Sequence, residues 1–510
     1  MYLLRHFVIL CLFTFGCILW HFFPTIHKKT SRLEKPNIVF ILADVRNETN
    51  HVEKPNIVFI LADDLGWADV GYNNPYIITP NIDKLAKEGV ILNQSYVAQT
   101  CGPTRAALMT GYYPYRLGFQ VRGPSNTTPG GLPLSSKILP QTLKQMGYST
   151  YMVGKWHLGF CNVEYTPTRR GFDSFYGYYV ASEDHYNHSA IGGLDLHDNL
   201  DPDWSQNGTY SSYLYSDKAV DFIESHDKAR PFFMYLAYQS VHSPNEVPQK
   251  YYDMYPSVKN DGRRCVMAMV TALDDGIGKV VKALKENGLW ENTLIIFSSD
   301  NGAPVNVQHE GSNWPLLGVK QQLYEGGTRA AAFIHGDMLK KTGYTYNGMI
   351  HVVDWYPTIA SIASGEVQDQ DMDGINVWNA LSTNSASPRE EMVYNIMTDW
   401  DVAAIRIGDY KLMTGKNHHN ACWTPPPEAE GKWGGESCFL QQKGDVYLFN
   451  LKDDPCERIN LAEKLPDKVD LLMKRLEERS QNVIPGFEKD EFVLESLPSN
   501  FGGVWSHGWC

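Results

Sequence analysis

Short runs made wholly of apolar residues alternate along the chain with stretches whose apolar positions recur at helical spacing. The clearest runs are residues 57–62, 232–238 and 294–297. A run without polar alternation is a strand buried on both faces, the kind found in parallel sheets covered by helices. Residues 82–88, 213–225 and 266–287 carry the helical pattern between them. Together they predict an α/β fold, a large mixed and mostly parallel sheet with helices on both faces. After about residue 390 the texture changes. Residues 403–412 read as a hairpin turning at Gly408-Asp409, 446–450 as a further strand, and 466–482 as a helix with proline at its start. A smaller C-terminal α+β domain with an antiparallel sheet is therefore expected over 391–510, interrupted by a Pro- and Gly-rich loop around 425–435, with the main domain over 54–390.

The segment EKPNIVFILAD occurs twice, starting at Glu34 and at Glu53. Two copies cannot fill one strand position. The second, which runs into Asp63-Asp64, is expected to be the central strand, and the first, within a linker over 31–53, is an edge strand, a loose linker or a fault of the gene model. Before it, Phe7 to Phe23 is an apolar run with Arg5 on one side and Lys28, Lys29 and Arg32 on the other. It reads as a signal peptide or signal anchor within residues 1–30, so a membrane anchor at the N-terminus is one expectation. Sequons at Asn47, Asn93, Asn126, Asn187 and Asn207 point to the secretory lumen.

Composition narrows the class. Of 510 residues, 43% are hydrophobic and 20% charged, enough for a large core and unlike a disordered chain. The formal net charge of −13 argues against a nucleic-acid partner and requires that any anionic ligand be met by cations gathered locally. Nine cysteines are present, two of them, Cys11 and Cys17, inside the apolar run. The rest are odd in number, so a luminal chain leaves one thiol unpaired, as a stray thiol or as one with a chemical task.

Chemistry-bearing residues collect just beyond the expected strands. The first strand ends in Asp63-Asp64, and the run at 294–297 continues through two serines into Asp300-Asn301-Gly302. Hard oxygen donors at the carboxyl ends of strands suit calcium or magnesium, although such residues also serve as turn and cap residues. Cys101-Gly-Pro-Thr-Arg105 places a cysteine at a helix start, with Pro103 in the first turn and Gly111 as the stop. There a developing anion would face free backbone N–H groups and the positive end of the helix. Lys155 and His157 emerge together from Gly154-Lys-Trp-His, His242 follows the 232–238 run, and Lys320 follows the loop beginning Asn313-Trp-Pro. Singly, such residues are more often structural or solvated.

Cys101-x-Pro-x-Arg105, followed by Leu-Met-Thr-Gly111, and Gly147-Tyr-x-Thr-x-x-Val-Gly-Lys-Trp-His157 resemble the two signatures of the type I sulfatases. The resemblance covers 54 to about 510. Gln239-Ser-Val-His242, Gly288-Leu-Trp-Glu-Asn-Thr, Asn313-Trp-Pro-Leu, Glu325-Gly-Gly and Gly503-Val-Trp resemble the N-acetylgalactosamine-4-sulfatase branch of that family. It implies an alkaline-phosphatase-like fold and a sulfatase catalytic domain over 54–390. It implies one calcium ion held by Asp63, Asp64, Asp300, Asn301 and the modified Cys101. It also implies oxidation of Cys101 to formylglycine (3-oxoalanine) by the formylglycine-generating enzyme of the endoplasmic reticulum. The implied substrate is a sulfated saccharide of the glycosaminoglycan type, and the implied compartment is the lysosome or another luminal or secreted location.

A sulfate ester is an anion, so its hydrolysis needs positive charge placed around the sulfonyl oxygens beforehand. Arg105, Lys155 and Lys320 would supply it with the metal. One hydroxyl of the hydrated aldehyde would attack sulfur, His242 with Lys320 would protonate the leaving alcohol, and His157 would take the proton of the second hydroxyl as sulfate departs. Two rival readings stand beside this one: a metal-dependent phosphoesterase or phosphonate hydrolase of the same architecture, and an inactive glycan-binding relative.

Overall fold

A computed structural model describes residues 54–510 apart from 307–308, 365–370, 416–420, 430, 434–436, 439–444 and 488–491. The expected signal segment, the first EKPNIVFILAD copy and the sequon at Asn47 lie outside these residues.

The largest sheet has ten strands, numbered here in chain order: β1 (Asn56–Ala62), β2 (Val90–Leu92), β3 (Ser149–Lys155), β4 (Ser174–Tyr178), β5 (His197–Asp198), β6 (Asp201–Pro202), β7 (Phe232–Ala237), β8 (Thr293–Ser299), β9 (Ala332–His335) and β10 (Tyr344–Tyr346). Their spatial order is β10-β2-β9-β8-β1-β7-β3-β4-β5-β6. The middle block β8-β1-β7-β3-β4 is parallel throughout, and β9 beside β8 and β5 beside β4 run antiparallel. The expected central strand is central: Ile57 pairs with Phe233 on one side and Leu294 on the other. Every residue of β1, β7 and β8 is buried, so both faces of the sheet are covered. One group of helices joins Ser211–Glu224, Pro80–Glu88 and Asp261–Glu286, and another joins Cys101–Thr110, Leu139–Gln145 and Trp355–Ser364.

The expected antiparallel sheet beyond residue 390 is also present, with one strand more than the sequence pattern suggested: β11 (Glu391–Met397), β12 (Val402–Ile407), β13 (Tyr410–Thr414) and β14 (Val446–Asn450), in that order. The β12–β13 hairpin turns at Gly408, whose φ of 56° is open to glycine at no steric cost. Helix Pro466–Ser480 packs on β12 and β13. Among the described residues no helix is long and apolar enough to cross a membrane.

Cysteine pairing departs from the expectation of a single free thiol. Cys161 is bonded to Cys510 and Cys422 is in a disulfide, whereas Cys101, Cys265 and Cys456 are all free. The arithmetic fails because Cys265 sits on the Asp261–Glu286 helix, where it lines a hollow with Tyr186, Glu246 and Tyr252 and meets no second sulfur.

Candidate active site

The parallel block delivers the expected residues to one place. Asp63 and Asp64 leave the end of β1, Asp300 and Asn301 the end of β8, Lys155 closes β3 with His157 just beyond, and His242 follows β7. The backbone of Asp63 is clamped to the segment after β7: its N–H donates to Ser240 O at 3.0 Å, and Val241 N–H donates to its carbonyl at 2.6 Å. At Gly154, one residue before Lys155, a Cβ would lie 1.9 Å from Ala237 O, so only glycine lets β3 approach β7 this closely. Helix Cys101–Thr110 starts at the cysteine and ends at Gly111 in the left-handed region, and it brings Cys101 and Arg105 in from the side. Lys320 enters from the loop after Gly318.

Three cations meet three carboxylates there. Lys155 Nζ donates to Asp63 Oδ2 at 2.5 Å, and Lys320 Nζ donates to Asp64 Oδ1 at 2.6 Å. Arg105 reaches Asp300 Oδ2 from Nη2 at 2.8 Å and from Nε at 3.2 Å, and lies 3.7 Å from Asp63 Oδ2. Asp63, Asp300, Arg105 and Lys155 are fully buried. Charge at such depth is tolerable only when paired.

Burial, with Asp63 alongside, raises the Asp300 carboxyl to about 6 against the pull of Arg105 and Lys155. Burial alone would lower Lys320, but Asp64 and its neighbours more than offset this and keep the ammonium charged. The histidines go the other way. Burial and then Lys155, Arg105 and Lys320 hold His157 well below its usual range. Burial, with Lys320 and Lys155, lowers His242 to about 3 although Asp64 lies 3.6 Å from its Nε2. His242 Nδ1 lies 2.8 Å from Ser243 O, an acceptor only, so Nδ1 carries the proton and Nε2 faces the cluster without one.

Three buried atoms of the cluster accept no hydrogen bond: Asp63 Oδ1, Asn301 Oδ1 and His157 Nδ1. Asn301 is oriented by its own amide, which donates to Asp64 Oδ1 at 2.7 Å and leaves the carbonyl oxygen free. One ligand atom each of Asp63, Cys101 and Asp300 lies within 4.8 Å of the others, and the same holds for Asp63, Asp64 and His242. Unspent oxygen atoms in an otherwise paired interior suit a hard divalent cation. The residues present therefore fit calcium, with His242 at the margin of the set. Cys101 is buried, free and raised by that burial, a protonated thiol and not a thiolate nucleophile.

Some residues here were not singled out from the sequence. Tyr235, inside β7, lies with its hydroxyl 3.5 Å from Arg105 Nη1, and His185 Nε2 donates to the His242 carbonyl at 2.9 Å while its Nδ1 meets Ser211 Oγ at 2.8 Å. The cluster Asp184-His-Tyr-Asn-His188 was the available signal for His185; an apolar run hides Tyr235. Asn313, by contrast, proves to be a brace: its side chain bonds Ala303 N and O and Gly318 O, which shapes the loop before Lys320. Trp314, next to it, packs against an apolar cluster that includes Leu317, Tyr324 and Met397.

Comparison with known proteins bears on this geometry. The family model described as Sulfatase matches residues 55–365. The chain is 38% identical over 507 residues to arylsulfatase J of Mus musculus, covering 93% of this chain and 81% of that one. It is 30% identical over 495 residues to N-acetylgalactosamine-6-sulfatase of the same species, covering 89% and 88%. Among solved structures, that of Ps i-CgsB in complex with k-i-k-neocarrahexaose is similar with a TM-score of 0.74 and 31% identity, over 85% of this chain and 94% of that one.

Proposed function

The chain belongs to the sulfatase family, and from that premise we propose that this sulfuric ester hydrolase acts on sulfated amino sugars with one calcium ion and a formylglycine made from Cys101. The observation that carries the reading is the convergence of a free buried cysteine, the unspent oxygens of Asp63 and Asn301, and the cations Arg105, Lys155 and Lys320 on one spot.

Asp63, Asp64, Asp300, Asn301 and the modified Cys101 would hold the metal, with residues 54–390 carrying the chemistry and 391–510 forming the smaller companion domain. When bound, calcium supplies charge for the sulfonyl oxygens, and the hydrated aldehyde supplies a nucleophilic hydroxyl. Arg105, Lys155 and Lys320 orient the ester, each already fixed by a carboxylate and so spared reorganisation during the reaction. His242 serves the leaving alcohol. Its Nε2 has a low proton affinity while the site is empty, and an incoming sulfate anion raises it by opposing the field of Lys320 and Lys155. The same cations keep His157 neutral, and a bound sulfate anion that offsets their field would let it take a proton. His185 holds the backbone of His242 and thereby the angle of its ring.

Five stretches that resemble arylsulfatase B favour N-acetylgalactosamine 4-sulfate units of glycosaminoglycans as substrate, and the named activity of the N-acetylgalactosamine-6-sulfatase relative supports the sugar, with sulfate at another position. The disulfide Cys161–Cys510 and the exposed sequon asparagines Asn187 and Asn207 support a luminal location, the lysosome first, with the formylglycine-generating enzyme as maturation partner. The test is sulfate release from 4-sulfated and 6-sulfated N-acetylgalactosamine disaccharides beside 4-nitrophenyl phosphate, with peptide mapping of position 101. Preference for the 4-sulfate and loss of the Cys101 sulfur are expected. Hydrolysis of the phosphate alone would favour the phosphoesterase rival, and an unmodified thiol with no turnover would favour the inactive one.

A further inference from the structure

Between the Lys320 loop and the tip of the C-terminal sheet lies a cavity of about 300 Å³, lined among others by Lys320, Gln321, Gln322, Met397 and Trp400. It has one wall in common with the candidate active site, because Lys320 reaches Asp64 from it. Trp400 closes the short helical turn Thr398–Trp400 between β11 and β12, and Asp401 turns the chain back at φ 51°. The indole is 46% exposed. A large apolar ring kept in solvent at the rim of a cavity is a mark of a binding surface.

Gln321 is exposed beside Lys320 and holds a φ of 76°, a strained backbone for a residue with a side chain. The strain is sustained by its N–H, which donates to the carbonyl of buried Gln99 at 2.8 Å. Gln322 braces the turn by accepting from Val319 N–H at 3.1 Å. The cavity thus offers a flat apolar face, an amide and an ammonium. A pyranose ring divides its surface in the same way, with a C–H face for an aromatic plane and a rim of hydroxyls for polar groups.

We infer that this cavity is a glycan subsite in which a sugar ring on the alcohol side of the ester stacks on Trp400 with its hydroxyl rim toward Gln321. The inference rests on the proposed sulfatase reading, since it is Lys320 beside the leaving oxygen that directs the alcohol portion this way. Selectivity for a saccharide over a small aryl ester would then come from the β11–β12 turn and not from the strand ends.

The experiment compares wild type, Trp400→Ala and Trp400→Phe on 4-nitrophenyl sulfate and on a sulfated N-acetylgalactosamine disaccharide, and measures binding of the unsulfated disaccharide by calorimetry. Trp400→Ala is expected to lower the ratio of saccharide to aryl-ester kcat/KM about tenfold, mostly through KM, with Trp400→Phe recovering most of it. An unchanged ratio, or equal losses by Ala and Phe, overturns the subsite. Wild type that turns over the aryl ester and no saccharide overturns it too while the sulfatase reading stands. If neither ester turns over, that reading fails, and Trp400-dependent disaccharide binding still decides the subsite.

Discussion

Two buried clusters of charge in this molecule use the same residue types and differ in what they leave unspent. Beneath the C-terminal sheet, Lys411 Nζ lies 3.1 Å from Glu325 Oε1 and 2.7 Å from Glu457 Oε1. Tyr96 and Tyr394 donate their hydroxyls to the two Glu325 oxygens at 2.8 and 2.9 Å, and Glu325 N–H donates to Glu457 Oε2 at 2.8 Å. Three of the four carboxylate oxygens there accept a hydrogen bond and the fourth, Glu457 Oε1, lies against the Lys411 ammonium, and the cluster ties β13 to the short helix Glu325–Thr328. At the strand ends the cations are just as well paired, yet Asp63 Oδ1, Asn301 Oδ1 and His157 Nδ1 are left open. Depth and charge alone do not mark a site. What sets the strand ends apart is that three such open atoms lie together among cations already paired.

The comparison breaks most visibly at Cys101. Cys101→Ser is expected to keep the thermal midpoint and abolish multiple turnover of 4-nitrophenyl sulfate, because a serine has no second hydroxyl with which to expel sulfate. Steady turnover near the wild-type rate would end the proposed chemistry. The next effect separates the clusters directly. Lys155→Met should lower kcat by about 10²–10³-fold, with a smaller loss of stability than Lys411→Met because Arg105 still lies 3.7 Å from Asp63 Oδ2. Lys411→Met leaves buried Glu457 without its cation and Glu325 with Arg329 at 3.8 Å, and should cost about 3–5 kcal/mol in a denaturant titration, with the smaller effect on turnover per folded molecule. The reverse assignment of losses would erase the distinction drawn here. A smaller effect follows from metal removal: chelation should lower the thermal midpoint, restored calcium should recover about 2.7 kcal/mol at a hundredfold excess over Kd, and Asp63→Asn should lose the response while Glu457→Gln keeps it.

How far these regions could be read in advance follows from the kind of signal each leaves. The three wholly apolar runs became the adjacent central strands because burial on both faces admits no polar residue, and each ends where its chemistry begins. The large mixed sheet and the antiparallel companion are the architecture expected, and the likeness to Ps i-CgsB covers 85% of this chain. The strands toward one margin of the sheet were silent: Val90–Leu92 and Tyr344–Tyr346 are too short to show a period. β11 was missed because Glu391–Met397 mixes Asn395 into an apolar run at a register shift opposite β12. The candidate site was legible because its groups follow strands or open a helix. The Glu325, Glu457 and Lys411 cluster was not, since its members come from separate segments and only the fold assembles them.

The smallest expected effect lies in that second cluster and concerns pH. One ammonium, Lys411, is divided between two carboxylates, and burial with Glu325 nearby raises Glu457 to about 7. Burial would raise Glu325 as well, but Lys411, Arg329 and Arg406 outweigh it and hold that carboxyl below its usual value. A raised acid binds its proton more tightly when folded, so between the unfolded value near 4.3 and the folded value near 7 the native state holds the extra proton and stability falls as pH rises. The slope is at most about 1.4 kcal/mol per pH unit for one proton. Glu325 acts in the opposite sense and only below that window, where protonation withdraws its contribution. Histidines held neutral by burial, such as His157 and His242, act in the opposite sense over pH 5–7, so the signature is a difference: the thermal midpoint of wild type should fall with pH relative to that of Glu457→Gln, which keeps the hydrogen-bonding shape without the titration. A difference between the two proteins that stays constant from pH 5 to 7 would contradict the sharing of one lysine by two acids.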